Sequence, residues 1–204
     1  MQMTHDEIIL VFDTYRVDYL KSATGDKRRQ GKASIQYQVR VQDDPNIRHI
    51  PMSRFLSHDK TKADLTDYLA AKILEYRGSS KLIITSASGH TRSNKDLVFE
   101  ENNHEEADTL LIHQAVLASQ QNSPYAQLVF FSPDTDVLVL VTANYHLLLK
   151  KTSISMASDV EDIEPLWQAL GKERAMALSA IHAFTGVDNT GRFSRIGKST
   201  WLQA

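Results

Sequence analysis

The sequence contains no cysteine, which excludes disulfides, thiol nucleophiles and cysteine-ligated zinc. No apolar run approaches the roughly 20 residues that a membrane-spanning helix needs. The opening residues lack the charged-then-apolar layout of a secretory leader. None of the eight histidines is followed by another four residues on, so a zinc-protease site has no footing. Repeats, low-complexity tracts and a recognisable interdomain linker are also missing. What remains is a chain of 204 residues, 42% hydrophobic and 24% charged, enough for one sizeable core of ordinary globular composition. These features lead to the expectation of an intracellular protein with no membrane partner.

The net charge of −2 conceals an uneven distribution. Arg16, Lys21, Lys27, Arg28, Arg29 and Lys32 face only Asp18 and Asp26 in their segment. Residues 100–108 carry five acids and no Lys or Arg, whereas Arg192, Arg195 and Lys198 follow Asp188 with no acid among them. Any one such run suits a solvated face. Basic flanks around an acidic centre suit a polyanion held by its backbone.

Strands and helices alternate along the chain. Strand patterns cover Glu7–Asp13, Ile35–Val41, Lys81–Ser86, Leu128–Phe131 and His146–Leu149. Residues 14–30 are polar, basic and helix-compatible, and residues 43–46 have turn chemistry. Helical spacing predicts a helix over Lys62–Tyr76, with Leu65, Leu69, Ile73 and Tyr76 on one face. A second helix is expected over Glu105–Ser119, with Leu110, Leu111, Val116 and Leu117 as its apolar face. A polar loop is expected through Gly89-His90 and Ser93-Asn94, a short helix from Asp134, and two further helices near Glu161–Leu170 and Glu173–Thr185. His113 and His182 are expected to pack on their helices. The alternation predicts an α/β fold with a parallel-type sheet.

Acidic residues end or follow apolar runs at four places. Asp13 closes Ile8-Ile9-Leu10-Val11-Phe12. Glu105, Glu106 and Asp108 open a helical stretch, Asp134 and Asp136 follow a buried strand, and Asp188 follows the apolar segment 176–187. Each has a structural reading: Asp134 suits an N-cap, Glu105 and Asp108 suit a helix N-terminus, Asp188 suits a turn, and Asp13 is an ordinary strand-end acid. Glu105 and Asp108, three residues apart, share a helix face that Glu106 does not. Together, however, carboxylates at the carboxyl ends of parallel strands occupy the usual ligand edge of α/β folds. Converging there, they would need cations to stay ionised, and hard divalent metals such as Mg²⁺ or Mn²⁺ match oxygen donors. Two such ions about 4 Å apart can activate water for in-line attack on phosphorus. The pattern therefore points to a metal-dependent nuclease. Gly197-Lys198-Ser199-Thr200 ends like a phosphate-binding loop, but Gly191 stands one residue too far upstream and no strand leads in.

These residues resemble the flap-endonuclease (PIN-like 5′-nuclease) superfamily in order and rough spacing, from Glu7 to the end. Val11-Phe12-Asp13, with Lys21 eight residues beyond Asp13, resembles an acidic strand leading into a helical arch. Glu106-Ala107-Asp108 resembles the family's Glu-x-Glu, and Ser132-Pro133-Asp134-Thr135-Asp136 its Asp-x-Asp. Thr185-Gly186-Val187-Asp188 and Ile196-Gly197-Lys198 resemble the start of its helix–two-turn–helix. His104-Glu105-Glu106-Ala107-Asp108-Thr109 also resembles a string found in a group of animal proteins.

The resemblance implies a single nuclease domain over residues 1–204. Its fold would be a three-layer PIN-like one, a mainly parallel central sheet flanked by helices, with residues 14–60 as arch or insertion. Residues 186–204 would begin a helix-turn-helix-type DNA-binding element. Two Mg²⁺ or Mn²⁺ ions would be held by Asp13, Glu105, Glu106, Asp108, Asp134, Asp136 and Asp188, with Lys21, Asp134 and Asp136 catalytic. Lys21 would face the scissile phosphate. Lys27, Arg28 and Arg29 would guide the single-stranded flap, and Arg192, Arg195 and Lys198 would contact duplex phosphates. The expected partner is branched or flapped DNA, with RNA as the alternative, and the expected location in a eukaryote is the nucleus. The family's first strand bears a further aspartate that nothing before Asp13 supplies, Asp6 preceding the strand, so the expectation includes a chain that is part of a longer or truncated protein. A non-catalytic PIN-like module that binds nucleic acid or protein stands as the alternative. A haloacid-dehalogenase-type phosphatase ranks last, because Tyr15 occupies the position of its second aspartate.

Overall fold

In the computed structural model, residues 7–15, 50–76, 81–99, 106–121, 127–148, 150–156 and 159–185 are described. The chain forms two compact units, Met1–Ala107 and Asp108–Ala204. In the first unit β1 (Glu7–Val11) pairs in parallel with β2 (Leu82–Ala87), Ile9 opposite Ile84 and Val11 opposite Ser86. Parallel neighbours need a long crossover, and here it includes α1 (Met52–Phe55) and α2 (Asp59–Leu74). Sheet β1-β2-β3 is completed by β3 (His90–Ser93), antiparallel to β2.

The β2–β3 connection is the two-residue turn Ser88-Gly89, both with positive φ (50° and 83°). Such turns match the twist of hairpin strands. Ser88 tolerates this conformation with its hydroxyl donating to Asp67 of α2 at 3.0 Å. Residues 89–94 therefore form a strand and its turn rather than the expected polar loop. Alternation is hidden there because only alternate residues of β3 are half-buried.

The second unit repeats the same plan. β4 (Gln127–Phe131) runs parallel to β5 (Lys151–Met156), Phe130 opposite Ile154, and β6 (Asp159–Asp162) is antiparallel to β5. The β4–β5 crossover is α4 (Thr135–Asn144), preceded in the chain by α3 (Ala107–Gln121). Helices α5 (Ile163–Leu170) and α6 (Lys172–Thr185) follow, joined at Gly171, whose φ of 76° with ψ of 155° suits only glycine. Tyr145–Leu147 is a short 3-10 turn, so the strand expected over His146–Leu149 lies later, at Lys151–Met156. An apolar run of Leu147, Leu148 and Leu149 does not distinguish the end of a helix from a strand. Strand β6 was not anticipated either. It is exposed along its whole length, so its sequence lacks an apolar period.

Thus the α/β class holds, and both sheets are mixed, each combining one parallel with one antiparallel pairing.

The larger described core lies in the second unit. Ile112, Ala115, Phe130, Val137, Val141, Leu148, Ile154 and Ile163 bury one another there. Fully burying a large aliphatic side chain is worth about 1.5–3 kcal/mol. Helix α3 presents Ile112 and Ala115 to this cluster, while Leu117, expected on the same face, is exposed. In the first unit α2 buries Thr61 and Ala70, whereas Leu69 and Tyr76 of the expected face are 39% and 65% exposed. Small residues bring α2 close to β2, which spacing of large residues does not signal. No helix among the described residues is long and apolar enough to cross a membrane.

Candidate functional site

The carboxyl edge of each parallel pair carries one of the acidic stations. At the first, the ladder extends one residue past β1, Phe12 N–H donating to the Ser86 carbonyl at 2.9 Å. Asp13 is the next residue, released from the ladder as the strand ends. Its Oδ1 accepts from the backbone N–H of Ala107, the first residue of α3, at 3.0 Å. A contact between residues 94 positions apart thus joins the end of β1 to Ala107. Tyr15 donates its hydroxyl toward Asp13 Oδ2 at 3.4 Å, and Lys62 Nζ lies 5.1 Å from the Tyr15 ring centre. Tyr15 therefore has a polar contact and a cation–π contact of its own.

Because α3 begins at Ala107, Glu106 precedes the helix and only Asp108 sits in its first turn. The described helix thus starts two residues later than the expected Glu105. The physical reason is the cap: a helix N-terminus has unsatisfied N–H groups, and Asp13 meets that of Ala107 from a distant strand. Asp13→Ala should destabilise the protein by about 1 kcal/mol, while Asp13→Asn, which keeps an acceptor, should cost less. Urea unfolding of the two variants checks this.

The third station repeats the geometry. Ser132 N–H donates to the Ser155 carbonyl at 3.2 Å, one residue past β4, as Phe12 does past β1. Asp134 is the N-cap of α4, its Oδ1 accepting from Asp136 N–H at 2.9 Å, and the Ser132 hydroxyl accepts from Asp134 N–H at 3.1 Å. The capping alternative foreseen for Asp134 is realised, and one of its oxygens stays outside that bond. Asp136 lies in the first turn of α4, where a negative charge is favoured. Its Oδ1 stands 2.9 Å from His182 Nε2 on α6. That distance defines an ion pair when the imidazole is protonated, although the ring N–H direction does not meet hydrogen-bond geometry. His182 thus packs on its helix and also reaches a carboxylate, a pairing of residues 46 positions apart that no local pattern signals. His113 by contrast is exposed on α3.

Lys21, Lys27, Arg28, Arg29, Glu105, Asp188, Arg192, Arg195 and Lys198 lie outside the described residues, as do the expected strand Ile35–Val41 and the expected DNA-binding element of residues 186–204. Helix α6 ends at Thr185, three residues beyond His182 and three before Asp188.

The donor chemistry fits a hard divalent cation, since every candidate ligand is a carboxylate. Among the described residues, however, no group of three or more His, Asp or Glu side chains stands close enough to hold a metal ion. Beyond the backbone bonds at Oδ1 of each aspartate, Asp13 Oδ2 takes the Tyr15 hydroxyl at 3.4 Å.

Compared with protein-family models, curated proteins and solved structures, the chain matches none.

Proposed function

We propose that the chain is a divalent-metal-dependent, structure-selective nuclease with a PIN-like three-layer fold, hydrolysing phosphodiester bonds in branched or flapped DNA, with RNA as the alternative substrate. The observation that supports this reading most is the 3.0 Å bond from Ala107 N–H to Asp13 Oδ1. It ties a strand-end aspartate to Ala107, the sequence neighbour of Glu106 and Asp108, which the chain separates widely from Asp13. The placement of Asp134 and Asp136 just past β4 adds a second acidic edge of the same design.

On this reading Asp13, Glu105, Glu106, Asp108, Asp134, Asp136 and Asp188 are the oxygen donors for Mg²⁺ or Mn²⁺. Such ions supply charge neutralisation at phosphorus and lower the pKa of a bound water. The chain's own residues do the rest. Lys21 offsets the charge developing on the phosphate. Lys27, Arg28 and Arg29 hold the single strand, and Arg192, Arg195 and Lys198 hold duplex phosphates, which orients the substrate without reading its sequence. A nuclear location in a eukaryote follows from a DNA substrate.

A second reading, a non-catalytic module that binds nucleic acid or protein, is favoured by one observation. Asp13 and Asp134 each spend an oxygen on a helix N-terminus, a structural use that would persist without any cation.

Cleavage of an end-labelled 5′-flap duplex with Mg²⁺ or Mn²⁺ decides between them. Incision near the junction, lost in an Asp134→Asn/Asp136→Asn double variant, is the expected result. Binding without incision supports the second reading, and equal incision by both proteins sinks the assigned site. In the same assay Lys21→Ala should slow cleavage by about a hundredfold, the scale for losing one donor to a developing anion, with a smaller change in DNA affinity.

A further inference from the structure

We propose that the free edge of β6 is a docking site for an extended, basic segment of a partner protein, which adds a strand to sheet β4-β5-β6 with its lysines or arginines over Asp159 and Glu161. The inference stands apart from the nuclease reading and holds whether or not the chain cleaves nucleic acid. Strand β6 ends its sheet, antiparallel to β5 on one side and with no strand on the other. All four of its residues are exposed. An edge of that kind presents backbone N–H and C=O groups that a further strand can take up.

The side chains decide which strand fits. Successive residues of a strand point to opposite faces, so Asp159 and Glu161 share one face of β6, and Val160 shares the other with Asp162. Asp162 is engaged by Lys151 at 3.3 Å. Among the described residues, no ion pair or hydrogen bond holds the side chain of Asp159 or Glu161. Val160 is 51% exposed. An added strand therefore meets two uncommitted carboxylates on one face and an apolar side chain on the other, which calls for alternating basic and β-branched residues. A second copy of the chain is the wrong occupant, since β6 against β6 sets acids beside acids.

The sequence of β6 is itself out of keeping with its place. Asp and Glu are depleted in strands, yet three of its four residues are acids. Local choices that oppose the fold concentrate where a surface has a use. The alternative is that the charges keep the edge from pairing at all, a common use of charge on edge strands. A blocking edge refuses every strand, whereas a docking edge accepts a basic one, and that separates the two.

The test is fluorescence anisotropy of the full chain with a short labelled peptide that alternates lysine with valine. Two companion peptides act as controls, one with glutamate in place of lysine, the other with the lysines kept but its backbone nitrogens methylated. The lysine peptide should bind, more weakly as salt rises, and neither companion should. Asp159→Asn/Glu161→Gln alters only exposed positions, where the fold tolerates change. This double variant should bind the lysine peptide about 2- to 30-fold more weakly, the scale for losing two opposite-charge cross-strand pairs. In hydrogen exchange, the amides of residues 159–162 should slow only when the lysine peptide is present. No binding of the lysine peptide would overturn the proposal and leave a blocking edge. Equal binding of the methylated peptide would overturn it in favour of attraction by charge alone. Equal binding by the double variant, or unchanged exchange at β6, would place the peptide elsewhere on the chain and overturn it as well.

Discussion

Asp134→Asn should leave the fold intact and, on the nuclease reading, lower metal-dependent cleavage by about three orders of magnitude or more. The two halves of that result have separate causes. Asp134 Oδ1 caps α4 through Asp136 N–H at 2.9 Å, and Asn is as good an N-cap as Asp, so the helix loses little. The charge, by contrast, disappears, and a neutral amide is a poor ligand for a hard cation whose contribution to catalysis is several kcal/mol. Each tenfold in rate corresponds to about 1.4 kcal/mol. Asp134→Ala is the instructive contrast, because it removes the cap as well and should cost about 1 kcal/mol of stability. Urea unfolding and flap cleavage measured on both variants separate the two effects. A loss of stability in Asp134→Asn equal to that in Asp134→Ala would show that charge, rather than an acceptor, holds the helix start.

Ile154→Ala should destabilise the second unit by about 2–5 kcal/mol, the range for truncating a buried large aliphatic residue. Ile154 is completely buried on β5, the central strand of its sheet, opposite Phe130 and within the cluster of Val137, Val141 and Ile163. Strands β4 and β6 flank it, and Val137, Val141 and Ile163 from the helices pack in the same cluster, so the cavity has little means to collapse. Phe131, one residue along β4, is 67% exposed, and Phe131→Ala should change stability by only about 0.5 kcal/mol. Unfolding midpoints in urea check the pair. Comparable losses at both positions would mean that the Phe131 face of β4 is buried as deeply as the Ile154 cluster.

Short-range chemistry made much of the scaffold legible from the sequence. Helix α2 was expected over Lys62–Tyr76 and spans Asp59–Leu74, because its apolar residues recur at the helical period. Strands β2 and β4 were expected from compact apolar runs. Asp134 announced both a helix start and its own capping role. The misses have a common origin. Strands β3 and β6 are edge strands with exposed residues, so neither carries a strong alternating pattern. The start of α3 was placed two residues too early, since the acceptor that meets its first N–H, Asp13, follows a strand nearly a hundred residues away.

The amino-acid order was sufficient to establish the α/β class, the acidic stations after apolar runs and the capping chemistry of Asp134, since each depends on neighbours within a turn or a strand. Pairing was a matter for the folded chain. That Asp13 meets Ala107, that Asp136 meets His182, and that each parallel pair ends in a carboxylate at its edge depends on crossovers bringing distant segments together. A one-dimensional pattern records which side chains are apolar or charged, whereas a hydrogen bond or ion pair depends on a separation of about 3 Å that only the path of the backbone sets.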